Sequence, residues 1–254
     1  MGIADDRPPR EELDRIELLW GLRTPPSRGP TRALNMRQIA EVGVRIADTE
    51  GLAAVSMQRI AGELKFTKMS LYRYVRSKAE LIAAMTDLAI DDPPALESLG
   101  DGWRTRIDRF ARLIRATWER HPWLPHVSEW QMRPGAVRPT SGERAMGPNE
   151  VGWVELGVRT LEGAGLTPAE ELDALFLVSA HLRATVAMTT YGVLPWTLGL
   201  PAADLLDKLR ADHGQRYPAL TALAAAGPEP EHNAFEFGLG RILDGIGLLV
   251  TSRR

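Results

Sequence analysis

The sequence predicts an all-α protein in which an N-terminal three-helix helix-turn-helix domain precedes a larger helical domain. Apolar residues recur at helical spacing along most of the 254 residues, and no segment alternates as a strand does. Four helix-capping residues, Asn35, Ser56, Thr67 and Ser77, stand before closely spaced apolar stretches. Hydrophobic residues make up 44% and charged residues 25%, proportions that support a folded core.

Residues 1–30 are expected to form an extension. Leu13, Ile16 and Trp20 share one face of a short amphipathic stretch, and the breaker-rich TPPSRGP at 24–30 follows it. We expect this second part to be a flexible basic arm.

The next helix is predicted over residues 36–50. Asn35 with Gln38 resembles a capping box, apolar residues from Ile39 to Ala47 form a stripe, and Gly51 ends the helix. Ser56 begins a short second helix, and Lys65 with Phe66 separates it from a third helix opened by Thr67.

Ser77 with Glu80 is a complete capping-box pattern for a fourth helix, predicted over 77–90. The sequence DDPP at 91–94 ends it and marks the expected domain boundary. The predicted domains are therefore 1–30, the extension; 31–92, the helix-turn-helix domain; and 93–254, a larger helical domain.

Two short helices joined by a tight turn are typical of a DNA-reading helix-turn-helix, whose second helix enters the major groove. Residues 24–90 carry a net charge of +4, whereas the whole chain carries −2. This excess is compatible with a polyanion-binding module, although a solvated basic face would look the same.

The residues from Asn35 to Asp87 resemble the DNA-binding domain of the TetR family of bacterial transcription repressors. The most specific segments are LYRYV at 71–75 and SKAEL at 77–81. The leader IELLWG followed by PSRGP resembles that of one subgroup of the family, and the segment FEFGLGRILDGI at 235–246 resembles the last helix of a tetracycline-repressor-like C-terminal regulatory domain. One departure is Lys65, where the family usually has glycine in the turn.

The resemblance implies specific DNA contacts. Tyr74 and Lys78 match phosphate-binding positions of the family, and the caps Ser56 and Thr67 also suit phosphate. The expected base-reading surface consists of Gln58, Lys68, Met69, Ser70, Tyr72 and Arg73. Arg28 and Arg32 on the arm are expected to reach a minor groove or phosphates. For each polar residue the alternative is solvated surface, and for Tyr72 it is core packing.

The resemblance implies that residues 93–254 form a helical effector-binding and dimerisation domain, and six of the seven tryptophans lie in this half. A central helix is expected over 168–193, and a loop over 133–148. The predicted ligand pocket consists of Trp118, Trp130, Trp153, His181, Met188 and Tyr191. The alternative is that these aromatic residues, and His181 with them, belong to the core.

A second copy of the chain is an expected partner, because one recognition helix contacts only a few base pairs. The last helix carries an apolar stripe predicted to form the dimer interface, Phe235, Leu239, Ile242, Ile246 and Leu249. Four glycines on this helix, at 238, 240, 245 and 247, suggest close helix approach.

Catalysis is poorly supported, because there is no cysteine, no HExxH, no Walker loop and no GxSxG. We therefore expect no enzyme activity, no cofactor and no metal. The absence of a leader or an apolar run of membrane-spanning length predicts a cytoplasmic protein without a membrane partner.

The predicted function is a ligand-responsive regulator, a repressor that leaves double-stranded operator DNA when a small molecule binds. The alternative is an all-helical carrier or enzyme that binds a small molecule without DNA. An architectural DNA binder would need a larger basic excess than +4.

Overall fold

All regular structure in the residues described by this computed structural model is helical, as the sequence predicts. These residues are 10–22, 34–127, 145–191, 208, 211–219, 221–222 and 233–253. The α-helices are α1 (Arg10–Leu19), α2 (Met36–Glu50), α3 (Met57–Leu64), α4 (Lys68–Tyr72), α5 (Lys78–Ile90), α6 (Trp103–Arg120), α7 (Pro148–Arg159), α8 (Pro168–Tyr191) and α9 (Ala234–Thr251).

Helix α2 packs against α5 to form the core of the helix-turn-helix region. The predicted capping box is confirmed, because the Asn35 side chain accepts from the Gln38 N–H and the Gln38 side chain accepts from the Asn35 N–H. A Cβ on Gly43 would lie 2.6 Å from the Met85 sulfur atom. Glycine therefore allows α2 and α5 to approach closely at this crossing.

The turn between α3 and α4 contains Lys65 in the left-handed conformation, with φ 59° and ψ 37°. The Phe66 N–H donates to the Ala61 carbonyl at 3.0 Å, and the Lys65 N–H donates to the Gly62 carbonyl at 3.2 Å. This pair of hydrogen bonds is a Schellman motif, in which glycine normally occupies the position of Lys65. The turn therefore keeps its shape despite lysine.

Substituting Lys65→Gly is expected to raise the free energy of unfolding by about 1 kcal/mol, since relief of left-handed strain exceeds the backbone entropy that glycine adds to the unfolded chain. Urea denaturation measures this change. Lys65→Ala is the matched control and should be nearly neutral, because alanine keeps the Cβ. A destabilised Lys65→Gly variant would contradict the assignment of strain to this residue.

The start of α5 differs in one detail from the predicted capping box. The Ser77 hydroxyl accepts from the Glu80 N–H at 3.1 Å as expected. The buried Glu80 carboxylate, however, accepts from the Arg76 N–H at 2.7 Å. This hydrogen bond fixes the backbone of Arg76 one residue before the cap.

Helices α5 and α7 are joined by hydrogen bonds at two places. The Asp87 carboxylate accepts from the Asn149 N–H at 2.9 Å and from the Glu150 N–H at 3.1 Å, so it caps the start of α7. In return the Trp153 indole donates to the carbonyl of Asp91 at 2.9 Å, at the end of α5. Each helix thus satisfies backbone groups at an end of the other.

The chain divides into two compact units, Met1–Leu172 and Asp173–Arg254. Helix α5 ends just before the expected boundary at residue 92, but the first unit continues past it because of the hydrogen bonds between α5 and α7. The functional division into 1–30, 31–92 and 93–254 stays a prediction.

Helix α1 packs against α5. The predicted stripe is not its buried face: Leu13 and Trp20 are exposed and Ile16 is half-buried, whereas Arg15 is buried. Polar contacts also hold this helix, because Asp14 pairs with Arg76 and the Trp20 indole donates to the Met146 carbonyl.

Helices α8 and α9 meet in the second unit through His181 and Phe235. The His181 ring stacks on the Phe235 ring with centroids 6.0 Å apart. Its Nε2 lies 2.9 Å from the Phe235 carbonyl oxygen. A Cβ on Gly238 would collide with the same imidazole, so this glycine permits close approach. A Cβ added to Gly240 or Gly245 would meet no atom of another part of the chain within 4 Å.

Candidate DNA interface and effector half

The predicted phosphate-binding residues border the α3–α4 pair. Ser56 and Thr67 are exposed caps, and their hydroxyl groups accept from the N–H groups of Arg59 and Ser70. Lys78 is exposed in the first turn of α5, and Tyr74 is half-buried before it. All four residues therefore lie at helix ends or in the loop that follows α4.

Helix α4 presents most of the predicted base-reading residues to solvent. Lys68, Met69 and Arg73 are exposed, and the exposed fraction of Met69 is 74%. Ser70 and Tyr72 are half-buried, while Leu71 is completely buried and anchors the helix. Gln58 is exposed on α3. Because Tyr72 is half-buried, its ring can both pack against the core and present an edge to DNA.

Lys68 and Tyr72 contact each other along one face of α4. The Lys68 ammonium lies 5.7 Å from the centre of the Tyr72 ring, which is within cation–π distance. This contact directs the cation along the helix before any DNA is present. Arg28 and Arg32 of the predicted arm lie outside the described residues.

Ion pairs neutralise the basic residues of α2 and α3. Arg37 pairs with Glu41 at 2.9 Å, and Arg45 pairs with Glu63 at 3.2 Å. Arg59 pairs with Glu50 at 2.7 Å. The exposed cations of Lys68, Arg73 and Lys78 belong to α4 and the start of α5. The local charge on α4 is therefore more positive than the average over residues 24–90 indicates.

Sequence reasoning missed Arg76, an exposed cation between Tyr74 and Lys78. Its guanidinium lies 3.0 Å from the Asp14 carboxylate of α1. The local sequence contains the signal, a cation two residues before Lys78, but it does not reveal a partner 62 residues away.

Two predicted pocket residues of the first unit belong to the core. Trp118 and Trp153 are buried. The Trp153 ring lies 5.9 Å from that of Phe110, and its indole N–H is used by the end of α5. The polar group of Trp153 is therefore already engaged by backbone carbonyl groups, and its role as a pocket wall stays a prediction.

The other pocket residues divide in a similar way. His181 is half-buried and its Nε2 and ring contact Phe235 at the α8–α9 crossing, as the alternative interpretation of a satisfied histidine expects, and its place in a pocket stays a prediction. Trp130 lies outside the described residues. The backbone of α8 includes Met188 and Tyr191, but their side chains are outside the described part of the chain.

Burial requires a correction of the predicted dimer interface. Phe235, Leu239 and Ile246 are buried within the single chain, Ile242 is half-buried, and only Leu249 is exposed. The first three cannot form an interface without leaving the core. The opposite side of α9 carries exposed Phe237 and Leu248, with exposed fractions of 64% and 74%.

Two family models together match most of the chain. The model of bacterial regulatory proteins of the tetR family matches residues 39–85, and that of the tetracyclin repressor-like C-terminal domain matches residues 96–250. The chain belongs to the TetR family. It is therefore a DNA-binding transcriptional regulator and not an enzyme, which decides against the carrier or enzyme alternative.

Relatives of this TetR-family protein are named as repressors. The transcriptional repressor DrrR1 of Streptomyces coeruleorubidus is 34% identical over 94% of this chain and 87% of its own. The transcriptional repressor Rv1353c of Mycobacterium tuberculosis is 26% identical over 90% of this chain and 87% of its own.

Solved structures of the family share the fold. ActR of Streptomyces coelicolor in complex with actinorhodin has a TM-score of 0.63 and is 25% identical, covering 86% of this chain and 99% of ActR. Among the described residues of our chain, no helix is long and apolar enough to cross a membrane.

Proposed function

We propose that this TetR-family protein is a homodimeric, cytoplasmic repressor that binds double-stranded operator DNA and releases it when a small organic molecule binds. The observation that carries the proposal is the solvent face of α4. Lys68, Met69 and Arg73 project from a helix whose Leu71 is completely buried. An anchored helix with exposed donors is what reading of a major groove requires.

The residues fall into two roles. Ser56, Thr67, Tyr74 and Lys78 are proposed to bind phosphates and so orient the domain 31–92 on the duplex. Arg73 and Lys68 are proposed to read guanine, and Gln58 adenine, while Met69 and Tyr72 contact thymine methyl groups and Ser70 supports either base. Arg28 and Arg32 are proposed minor-groove or phosphate contacts of the arm.

Two substitutions separate these roles. Lys78→Ala is expected to weaken binding about equally on operator and random DNA and to lower the salt slope by about one, because a phosphate contact is lost. Arg73→Ala is expected to cost about 1–3 kcal/mol mainly on the operator. Gel-shift titrations over a salt series on both DNAs measure the difference. Equal losses on the two DNAs for both variants would contradict the division of roles.

The dimer is proposed to form through the exposed side of α9. Phe237, Leu248 and Leu249 supply apolar surface there, and Gly245 has open space where a Cβ would stand. These residues replace Phe235, Leu239 and Ile246 in the proposed interface, while Ile242 remains at its edge. The open glycine would let the two backbones approach closely.

The effector is proposed to bind within residues 93–254. Support comes from relatives, because structures exist of ActR in complex with actinorhodin and of a TetR variant of Acinetobacter baumannii in complex with minocycline. Actinorhodin and minocycline are therefore suitable probes for this chain.

A compound that acts as effector is expected to change tryptophan fluorescence and lower operator affinity over the same concentration range, because linkage couples the two binding events. Trp118 and the other tryptophans of this half would report the binding. Random DNA of equal length is the control for nonspecific displacement. Quenching at saturation with unchanged operator affinity would contradict release by that compound.

A further inference from the structure

The N-terminal helix α1 is held at two points against the rest of the first unit. Near its middle, Asp14 pairs with Arg76 at 3.0 Å. Just past its end, the Trp20 indole donates to the Met146 carbonyl at 3.2 Å. Between these contacts Arg15 is buried, and the helix packs against α5. Helix α1 is therefore a docked element of the helix-turn-helix region.

Arg76 occupies the loop that joins α4 to α5, between two proposed phosphate-binding residues, Tyr74 and Lys78. Its backbone is held by the hydrogen bond to the Glu80 carboxylate. Its side chain is 57% exposed, so the guanidinium is accessible to a polyanion that approaches this loop. In the free protein, the guanidinium faces Asp14.

Helix α1 is acidic and can therefore compete with DNA phosphates for the Arg76 guanidinium. Its sequence REELDRIELL contains four acidic and two basic residues, a net charge of −2. DNA phosphates and the Asp14 carboxylate offer Arg76 the same kind of charge-assisted hydrogen bond, so a guanidinium that faces Asp14 gives up this bond when it turns toward a phosphate.

We propose that Arg76 is a further phosphate-binding residue and that α1 is an inhibitory helix whose Asp14 withholds it from DNA. The proposal rests on the proposed DNA-binding function and adds a means of regulating it. Because Trp20 ties the same helix to Met146, immediately before α7, the strength of this inhibition depends on the position of the segment that opens α7.

The energetics permit such competition. Asp14 and Arg76 have side chains 27% and 57% exposed, and partly exposed ion pairs contribute little to stability. Loss of the pair is therefore expected to leave the fold intact, and a phosphate can displace the carboxylate.

Asp14→Asn is the direct test, in the full-length chain. We expect about threefold to tenfold tighter binding to operator and to random DNA at 50 mM salt, because one phosphate contact is gained. Since each phosphate contact adds about 0.9 to the salt slope, this advantage should fall about threefold to fourfold between 50 and 200 mM salt. The thermal unfolding midpoint is measured alongside and should stay close to that of the wild type.

Two controls distinguish the release of Arg76 from the general effect of making α1 less negative. Glu17→Gln removes the same charge from an exposed position of α1 and should give a smaller gain than Asp14→Asn. In an Arg76→Ala background, Asp14→Asn should give no gain beyond that of Glu17→Gln. Trp20→Phe, which keeps an aromatic ring but removes the indole N–H that bonds Met146, should give part of the Asp14→Asn gain.

The proposal is overturned if Asp14→Asn and Trp20→Phe leave affinity unchanged. It is also overturned if Glu17→Gln gives the full gain, or if the gain of Asp14→Asn persists without Arg76. These results would leave DNA binding itself standing. A wild-type protein that binds neither operator nor random DNA at 50 mM salt would overturn both this inference and the proposed function.

Discussion

Asp87→Ala is expected to lower the free energy of unfolding by about 2–4 kcal/mol, through loss of a helix cap and of partners for two backbone N–H groups. The Asp87 carboxylate accepts from Asn149 and Glu150 at 2.9 and 3.1 Å. Alanine leaves both donors at the start of α7 without this acceptor. Urea denaturation followed by circular dichroism measures the change.

Gly147 provides a second way to disturb the same contact. A Cβ at this position would collide with the Asp87 carboxylate, so Gly147→Ala should also be strongly destabilising. Asp92→Ala is the matched control, because Asp92 is an exposed aspartate just beyond α5 and should change stability by only about 0.5 kcal/mol or less. If Asp87→Ala resembles Asp92→Ala, the carboxylate does not hold α7 to α5.

The contact between α5 and α7 also offers a route from effector to DNA. Helix α5 begins at Lys78, a proposed phosphate contact, and ends where the Trp153 indole of α7 binds its last carbonyl groups. A displacement of α7 would therefore be transmitted to α5. A tenfold loss of DNA affinity requires the ligand to prefer the non-binding geometry by only about 1.4 kcal/mol.

Leu248→Asp is expected to convert the dimer to a monomer and to lower operator affinity by about 100-fold or more, because a monomer contacts one half-site. Leu248 is 74% exposed in the single chain, so its replacement should leave the fold of each protomer intact. Light scattering measures the mass, and gel shift measures the affinity.

Leu113→Asp is the matched control for this substitution. Leu113 is also exposed, on α6, and lies outside the proposed interface. It should leave the protein dimeric with normal operator affinity. A Leu248→Asp protein that remains dimeric would show that another surface holds the protomers together.

Local signals made the helix-turn-helix region predictable. The caps Asn35, Ser56, Thr67 and Ser77 all begin helices at the expected places, because a side-chain oxygen satisfies a backbone donor only a few residues away. The left-handed conformation of Lys65 is indicated only by the resemblance, because the family usually has glycine, which favours this conformation, at that position.

Contacts over long sequence separations could not be predicted in this way. The bond of Trp153 to the end of α5 joins residues 62 apart, and a buried tryptophan looks the same in sequence as a pocket wall. On α9 both faces are apolar, so periodicity alone did not show that Leu239 faces inward and Leu248 outward. Helix α1 is held by the ion pair between Asp14 and Arg76, and nothing in the sequence indicates that these two residues meet.

Selection of genomic fragments bound by the purified full-length protein tests the central claim most directly. We predict that the fragments share a palindrome whose half-sites are centred about one helical turn, or a multiple of it, apart, because two α4 helices of a dimer read successive major grooves. Arg73→Ala should lose this enrichment and keep salt-sensitive binding to random DNA. Bound fragments that share no sequence would contradict operator recognition by α4. The same holds if the Arg73→Ala protein enriches the same shared sequence as the wild type.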